Sequence, residues 1–169
     1  MSGSGEPPWL TPRACDLAGW LLESHRRLFG RPLVACGGLA GPDGGRSAAQ
    51  ELFAAAICVL AHDGQEDPRL IYANRAALRL WGRRWGEMVG MPSRLTAAPE
   101  ERPARRAMLT AALRQEAITG YGGVRVDRSG RRFRIEGARL WTVRDGAGAA
   151  CGQAAAFGRW WWLEGMAGE

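Results

Sequence analysis

Residues 120–141 read GYGGVRVDRSGRRFRIEGARLW, and this stretch decides the fold. Two extended runs, 121–127 and 131–143, meet across Arg128-Ser129-Gly130, where a glycine supplies the backbone freedom that a hairpin turn needs. In the second run Arg132 and Arg134 alternate with Phe133 and Ile135, the two-residue period of a strand with one wet and one dry face. Asp145-Gly146 is a second turn, and residues 151–163 make a third strand.

Upstream of the hairpin the period changes to that of helices. Between Pro99 and Pro103 a helix starts, with Glu100 and Glu101 at its positive end. Its expected apolar face is Ala104, Ala107, Met108, Ala111 and Ile118, and Gly120 is its expected stop. Asn74 is placed to cap a short helix over 75–81, and a single turn is expected around 85–89. Before it stand two short strands, 57–61 and 70–72, separated by a polar turn. Ser47 and Gln50 suggest a capping box for another helix. Thr11 and Pro12 start an N-terminal helix over 11–30, carrying Leu17, Leu21 and Leu28 on one face. The chain therefore divides into a disordered leader 1–10, this helix, a Gly-rich connector 31–46, a main domain 47–163 and a tail 164–169. Helices followed by antiparallel strands imply an α+β fold with helices gathered on one side of a sheet.

Composition narrows the function classes. With 46% hydrophobic residues over 169 positions, the chain can bury a core without metal or disulfide staples. Cys15, Cys36, Cys58 and Cys151 form no C-x-x-C pair, which argues against structural zinc. A start without a basic segment and apolar run argues against a signal peptide, and no apolar stretch is long enough for a bilayer. A cytoplasmic location is expected. The net charge is +6, and all 23 basic residues are arginine, which fits a GC-rich coding sequence.

Several motifs together resemble one family. His62-Asp63, Glu66-Asp67-Pro68, Tyr72-Ala73-Asn74, Pro92-Ser93-Arg94 and the segment 130–136, ending in Glu136, are similar to the MEKHLA domain. That family occurs as small bacterial proteins and at the C-terminus of class III homeodomain–leucine zipper regulators of plants. The resemblance covers about residues 17–163 and identifies the chain as a small standalone bacterial member. It implies a PAS-like fold, a five-stranded antiparallel sheet with a helical flank. It implies no particular ligand or reaction.

Each chemistry known from PAS domains makes its own demand on these residues. Haem needs an axial donor, and no histidine follows His62. A flavin photo-adduct needs a cysteine where this chain has Met91-Pro92-Ser93-Arg94-Leu95, so that chemistry is excluded. A non-covalent flavin or a small metabolite is left, in a candidate cavity lined by Cys58, Leu60, Tyr72, Trp81, Trp85, Met88, Met91, Phe133, Ile135, Trp141 and Phe157. Arg94 or Arg134 is the expected partner for a ligand carboxylate. His62, Asp63, Glu66 and Asp67 are weighed as a metal site, but turn chemistry is the simpler reading. His25 falls on the apolar stripe of the first helix and is expected in the core. Without a nucleophile elbow or triad, the chain is expected to be non-enzymatic.

The charge is concentrated. Residues 121–145 carry seven arginines against three acids, placing Arg132 and Arg134 on one sheet face. A solvated face is the plain reading. The functional one is an acidic protein partner rather than nucleic acid, since stacking aromatics are not interleaved there. Trp160, Trp161 and Trp162 load both faces of the last strand, so the N-terminal helix or a second copy of the chain must cover one of them. A sensory or regulatory module is expected, most simply a homodimer, with a ligand-free interaction module as the alternative.

Overall fold

The computed structural model describes residues 5–35, 43 and 45–163. The order of elements is α1 (Pro12–Phe29), α2 (Arg46–Ala54), β1 (Cys58–Asp63), β2 (Leu70–Ala73), α3 (Arg75–Trp81), α4 (Trp85–Met88), α5 (Arg102–Gln115), β3 (Ala117–Val126), β4 (Arg132–Arg144), β5 (Ala150–Phe157) and β6 (Arg159–Trp162). The strands form one antiparallel sheet in the order β2-β1-β5-β4-β3, and β6 pairs with β4. The expected α+β class and PAS-like architecture hold, with six strands instead of five.

The extra strand comes from one break. Residues 151–163 form two strands separated at Gly158, not one. Up to Phe157 the chain is clamped between β1 and β4, but β1 begins at Cys58, opposite Phe157. Beyond that point only β4 offers hydrogen bonds, and β6 runs on along it as far as the Trp162–Phe133 pair.

The helix starts follow local capping chemistry. The Thr11 hydroxyl accepts from the Ala14 amide, and Gly30 closes α1 in the left-handed conformation. The Asn74 side chain accepts from the amides of Ala77 and Val59, and its NH₂ donates to the Leu52 and Ile57 carbonyls, so one buried side chain ties α2, β1 and α3 together. Two expected boundaries are corrected. Helix α2 is capped from upstream, where the Asp43 carboxylate accepts from the Ser47 amide at 3.0 Å, and no Ser47–Gln50 box forms. Helix α5 ends at Gln115 with Glu116 in the left-handed region (φ 62°), because β3 begins at Ala117, and Gly120 lies inside that strand.

Sequential residues of each strand supply two separate cores. Val59, Ala61, Tyr72, Trp141, Val143, Ala154 and Ala156 pack with Ala18, Leu21 and Leu22 of α1 and Leu52 of α2. Cys58, Leu70, Phe133, Ile135, Leu140 and Phe157 pack on the other face with α3, Met88 and Ala112. The N-terminal helix covers the outer face over the sheet centre and not over the tryptophans of the last strand, where Trp161 stays 42% exposed. The leader also differs from expectation. Residues Pro8–Leu10 form a 3₁₀ turn, Leu10 is buried, and Trp9 stacks on Phe53 with ring centroids 3.8 Å apart. An aromatic pair of this kind holds a segment that composition alone would leave free. Most of the connector (36–42 and 44) and the tail 164–169 lie outside the described residues.

Candidate ligand-binding site

The inner face of the sheet does not pack solidly. A cavity of about 50 Å³ lies between it and helices α3 and α5, lined by Leu60, His62, Trp81, Leu109, Leu140 and Phe157, with Tyr121, Arg125, Arg105 and Gln153 among its polar walls. The room is roughly three to five times what one water requires.

Each polar wall is placed by its element. In β1, His62 stands opposite Gln153 of β5. The Gln153 NH₂ donates to the Leu109 carbonyl at 3.1 Å and so ties the sheet to α5. The His62 ring Nδ1 meets the Asp63 carbonyl at 2.8 Å, which puts the proton on that nitrogen; Nε2 is then a bare acceptor, buried and without a partner. Burial pushes the His62 imidazole below its ordinary range and keeps it neutral.

Arg125 is 5% exposed and lies opposite Phe133, on the inner face of the β3–β4 hairpin. Its guanidinium donates to the Tyr121 hydroxyl at 2.6 Å and to the Val124 carbonyl at 3.1 Å. Gly123 leaves the space: a Cβ there would stand 2.9 Å from Arg125 Nη1. Arg105 reaches in from α5 and donates to Ser93 Oγ at 3.0 Å. Its pKa is pushed down to about 10, by burial first and then by the like charge of Arg125. Arg105 remains cationic at neutral pH.

The sequence-predicted residues divide between the faces. Leu60, Trp81, Ile135 and Phe157 line the cavity. Cys58, Met88 and Phe133 are buried in the same core without reaching it, and Met91 packs against that core. Tyr72 and Trp141 belong to the outer core, and Trp85 stands against Tyr72 edge-on at 5.5 Å. Strand alternation sends Tyr72 and Trp141 away from the cavity, while Trp85, in α4, packs against both cores without lining it. Neither expected carboxylate partner faces it. Arg94 is exposed and pairs with Asp67 at 3.2 Å, while Arg134 is exposed beside Trp161. Ser93 is buried and serves through Arg105.

The remaining motif residues build turns and the surface. Asp63 Oδ1 accepts from the amides of Gln65 and Arg69, Glu66 is exposed, and no metal-ligating cluster occurs among the described residues. Arg132 pairs with Glu100, Arg131 lies over the Trp162 ring at 3.8 Å, and Glu136 is exposed. His25 is buried between Phe29 and Trp141.

Sequence reasoning missed Arg105 and Arg125, the two cations that face the cavity. Arg105 occupies the inward row of α5 with Met108, Leu109 and Ala112, whereas the expected row included Ala104 and Ala107, which are exposed. The usable signal was the helical set Arg105, Met108, Leu109, Ala112, apolar except at its first member.

Comparisons with known proteins agree with this fold. The sequence matches the model of the MEKHLA domain over residues 15–162. In structure the chain is similar to the PAS domain of a protein from Colwellia psychrerythraea, with TM-score 0.57 and 16% identity over 64% of this chain and 89% of that one. It is also similar to an RNA-binding light-oxygen-voltage receptor, with TM-score 0.58 and 25% identity, covering 73% of this chain but 36% of the receptor. A light-oxygen-voltage domain studied with a flavin analogue aligns with TM-score 0.55 and 20% identity over 70% of this chain and 85% of that one. No curated protein matches in sequence.

Proposed function

The chain belongs to the MEKHLA domain family and has the PAS fold, a fold generally used for sensing, and on that footing we propose that it is a non-enzymatic sensory module. A small molecule enters the cavity between the sheet and α5, and its binding is passed through the sheet to α1. The observation that carries this reading is the cavity itself: a mostly apolar space between sheet and helices, with the buried, unpartnered Nε2 of His62 in its wall. Buried polar atoms without partners are rare because they are costly, and a ligand atom is what would satisfy this one.

Flavin does not fit. Pockets for ligands of drug size run to about 300–1,000 Å³. The 50 Å³ here cannot take a tricyclic ring, and no cysteine lines it. Catalysis has little to work with, since His25 and His62 lie on opposite faces of the sheet. Among the described residues no helix is long and apolar enough to cross a membrane.

Native mass spectrometry of the freshly purified chain, followed by thermal shift across a metabolite library, tests the reading. A retained small mass or a ligand-dependent rise in Tm is expected. An apo mass with no shift from any compound would overturn it.

A second reading rests on a separate observation, the exposed Trp160 and Trp161 beside Arg134. These residues form an apolar edge with a cation alongside, suited to a second copy or an acidic protein segment. Arg132→Glu combined with Arg134→Glu is expected to abolish a salt-sensitive complex if this edge docks one. Unchanged association would exclude it.

A further inference from the structure

Resting on the reading that the cavity holds a ligand, we propose that this ligand is a small hydroxy-carboxylate of two to four carbons. Its carboxylate sits between the guanidiniums of Arg105 and Arg125, and its hydroxyl donates to His62 Nε2.

The first argument is where the arginines of this protein find acids. At the surface they pair freely: Arg26, Arg46, Arg94, Arg128, Arg132 and Arg144 each meet a carboxylate. The two that face the cavity do not. Among the described residues no carboxylate pairs with Arg105 or Arg125, and their bonds go to the neutral oxygens of Ser93, Tyr121 and Val124. Arg125 is buried, and a buried charge is costly unless paired; half-buried Arg105 adds a second charge of like sign to the same space. The arrangement is consistent if the missing partner is an anion that arrives from outside. A planar carboxylate matches the fork of donors that a guanidinium presents.

The second argument is the acceptor. His62 Nδ1 is committed to the Asp63 carbonyl, so Nε2 asks for a hydrogen-bond donor. A simple fatty acid has none to offer in its ionised form, whereas a hydroxyl on the adjoining carbon does. Size is the third. The 50 Å³ space and the apolar walls of Trp81, Leu140 and Phe157 admit a handful of heavy atoms, not a nucleotide or a dicarboxylate chain of any length.

An anion between the cations would also act on α5. Ala112 is the only residue of that helix that is fully buried, so α5 is the least embedded wall of the cavity. Screening the repulsion between Arg105 and Arg125 draws this wall onto the sheet. Ligand binding then has a mechanical consequence at the place where the helix meets Gln153.

The test uses the whole chain with L-lactate and glycolate as probes, measured by calorimetry and thermal shift at constant ionic strength in chloride. Propionate lacks the hydroxyl and lactamide lacks the charge. Lactate or glycolate is expected to raise Tm, propionate to bind about tenfold more weakly, and lactamide not to bind. Arg105→Gln is expected to raise the Tm of the unliganded protein and to abolish the response to lactate. Arg125 is bonded into the hairpin, so Arg125→Lys, which keeps the charge, is the second variant and is expected to weaken lactate without unfolding the domain. If lactamide binds as well as lactate and Arg105→Gln leaves both unchanged, the carboxylate assignment falls while the cavity remains a ligand site. If no compound of either kind binds and Arg105→Gln lowers Tm, the hydroxy-carboxylate assignment falls and Arg105 is structural; the cavity reading falls with it only if the purified chain is also apo and no library compound shifts Tm.

Discussion

The two faces of the sheet are made from alternate residues of the same strands, yet the outer one is covered by α1 and the inner one brings two arginines to a cavity wall. On the outer face α1 lies on Val59, Ala61, Val143, Ala154 and Ala156, and the buried polar atoms left unpartnered there, His25 Nε2 and the Tyr72 hydroxyl, are neutral. The Trp141 indole N–H donates to the Leu21 carbonyl at 3.3 Å, and the Arg144 amide donates to Ser24 Oγ at 3.0 Å. On the inner face two cations lack acids and one imidazole nitrogen lacks a donor. Unpartnered polar atoms occur on both faces, so what sets the inner face apart is the pair of arginines without acids on one cavity wall.

The largest expected effect tests whether the outer face is the stable one. Trp141 is fully buried, spans the α1–β4 seam and holds His25 edge-on at 4.9 Å. Trp141→Ala is expected to cost about 3–5 kcal/mol in urea denaturation, and Leu21→Ala about 2–5. A loss below about 1 kcal/mol for both would mean that α1 is not seated on the sheet.

The next effect is a pH dependence from the same seam. Burial first, and then the positive charge of Arg139, push the His25 pKa down to about 4 from 6.5, against a smaller opposite pull from its bond to the Arg31 carbonyl. The unfolded chain therefore takes up a proton on His25 before the folded one does. Stability from this source is complete above pH 6.5 and is lost as the pH falls toward 4, up to about 3 kcal/mol in all. His62, also depressed by burial, adds a loss of the same sign from the inner face. Denaturation midpoints between pH 7 and 4 should fall steeply for the native chain and less steeply for His25→Leu. Equal slopes would remove His25 from the account.

Local chemistry made much of the frame readable. Thr11-Pro12, Asn74 and the 128–130 turn each impose one backbone geometry on their neighbours, and the elements begin or reverse there. Boundaries set by long-range pairing were not readable. That α5 stops at Gln115 depends on Ala117 pairing with Trp141, and that β5 breaks at Gly158 depends on where β1 begins. The site was misread for a related reason. A helical stripe is found by its apolar members, so a cation on the inward row removes the very signal that would point to it. Exposed Ala104 and Ala107 then mimic a buried row, and Arg105 is passed over. Tyr72 and Trp141 were assigned to the cavity because they are aromatic, although the side of a strand is set by parity, not by size.

Two glycines, one beneath each face, carry the comparison to smaller effects. Gly152 lies opposite Val143 and Asp63, and a Cβ added there would run into the His62 carbonyl oxygen of the adjacent strand. Backbone cannot yield without losing sheet hydrogen bonds, so Gly152→Ala is expected to cost about 1–3 kcal/mol by denaturation.

Gly123 should behave differently although its added Cβ would also meet a neighbour, Arg125 Nη1, at 2.9 Å. That neighbour is the far end of a flexible side chain, so it can turn aside, and the stability cost of Gly123→Ala is expected to stay within about 1 kcal/mol. The guanidinium cannot turn aside and also keep its place, however. Its bond to the Tyr121 hydroxyl and its aim at the cavity depend on the space that Gly123 leaves. Gly123→Ala should therefore leave the denaturation midpoint nearly unchanged while abolishing the thermal response to lactate. Gly152→Ala should lower the midpoint and, in the fraction still folded, keep the response. An inverted pattern, with Gly123→Ala unstable yet responsive, would show that Arg125 is a structural member of the hairpin. The division between a stable outer face and a ligand-binding inner face would then lose its strongest support.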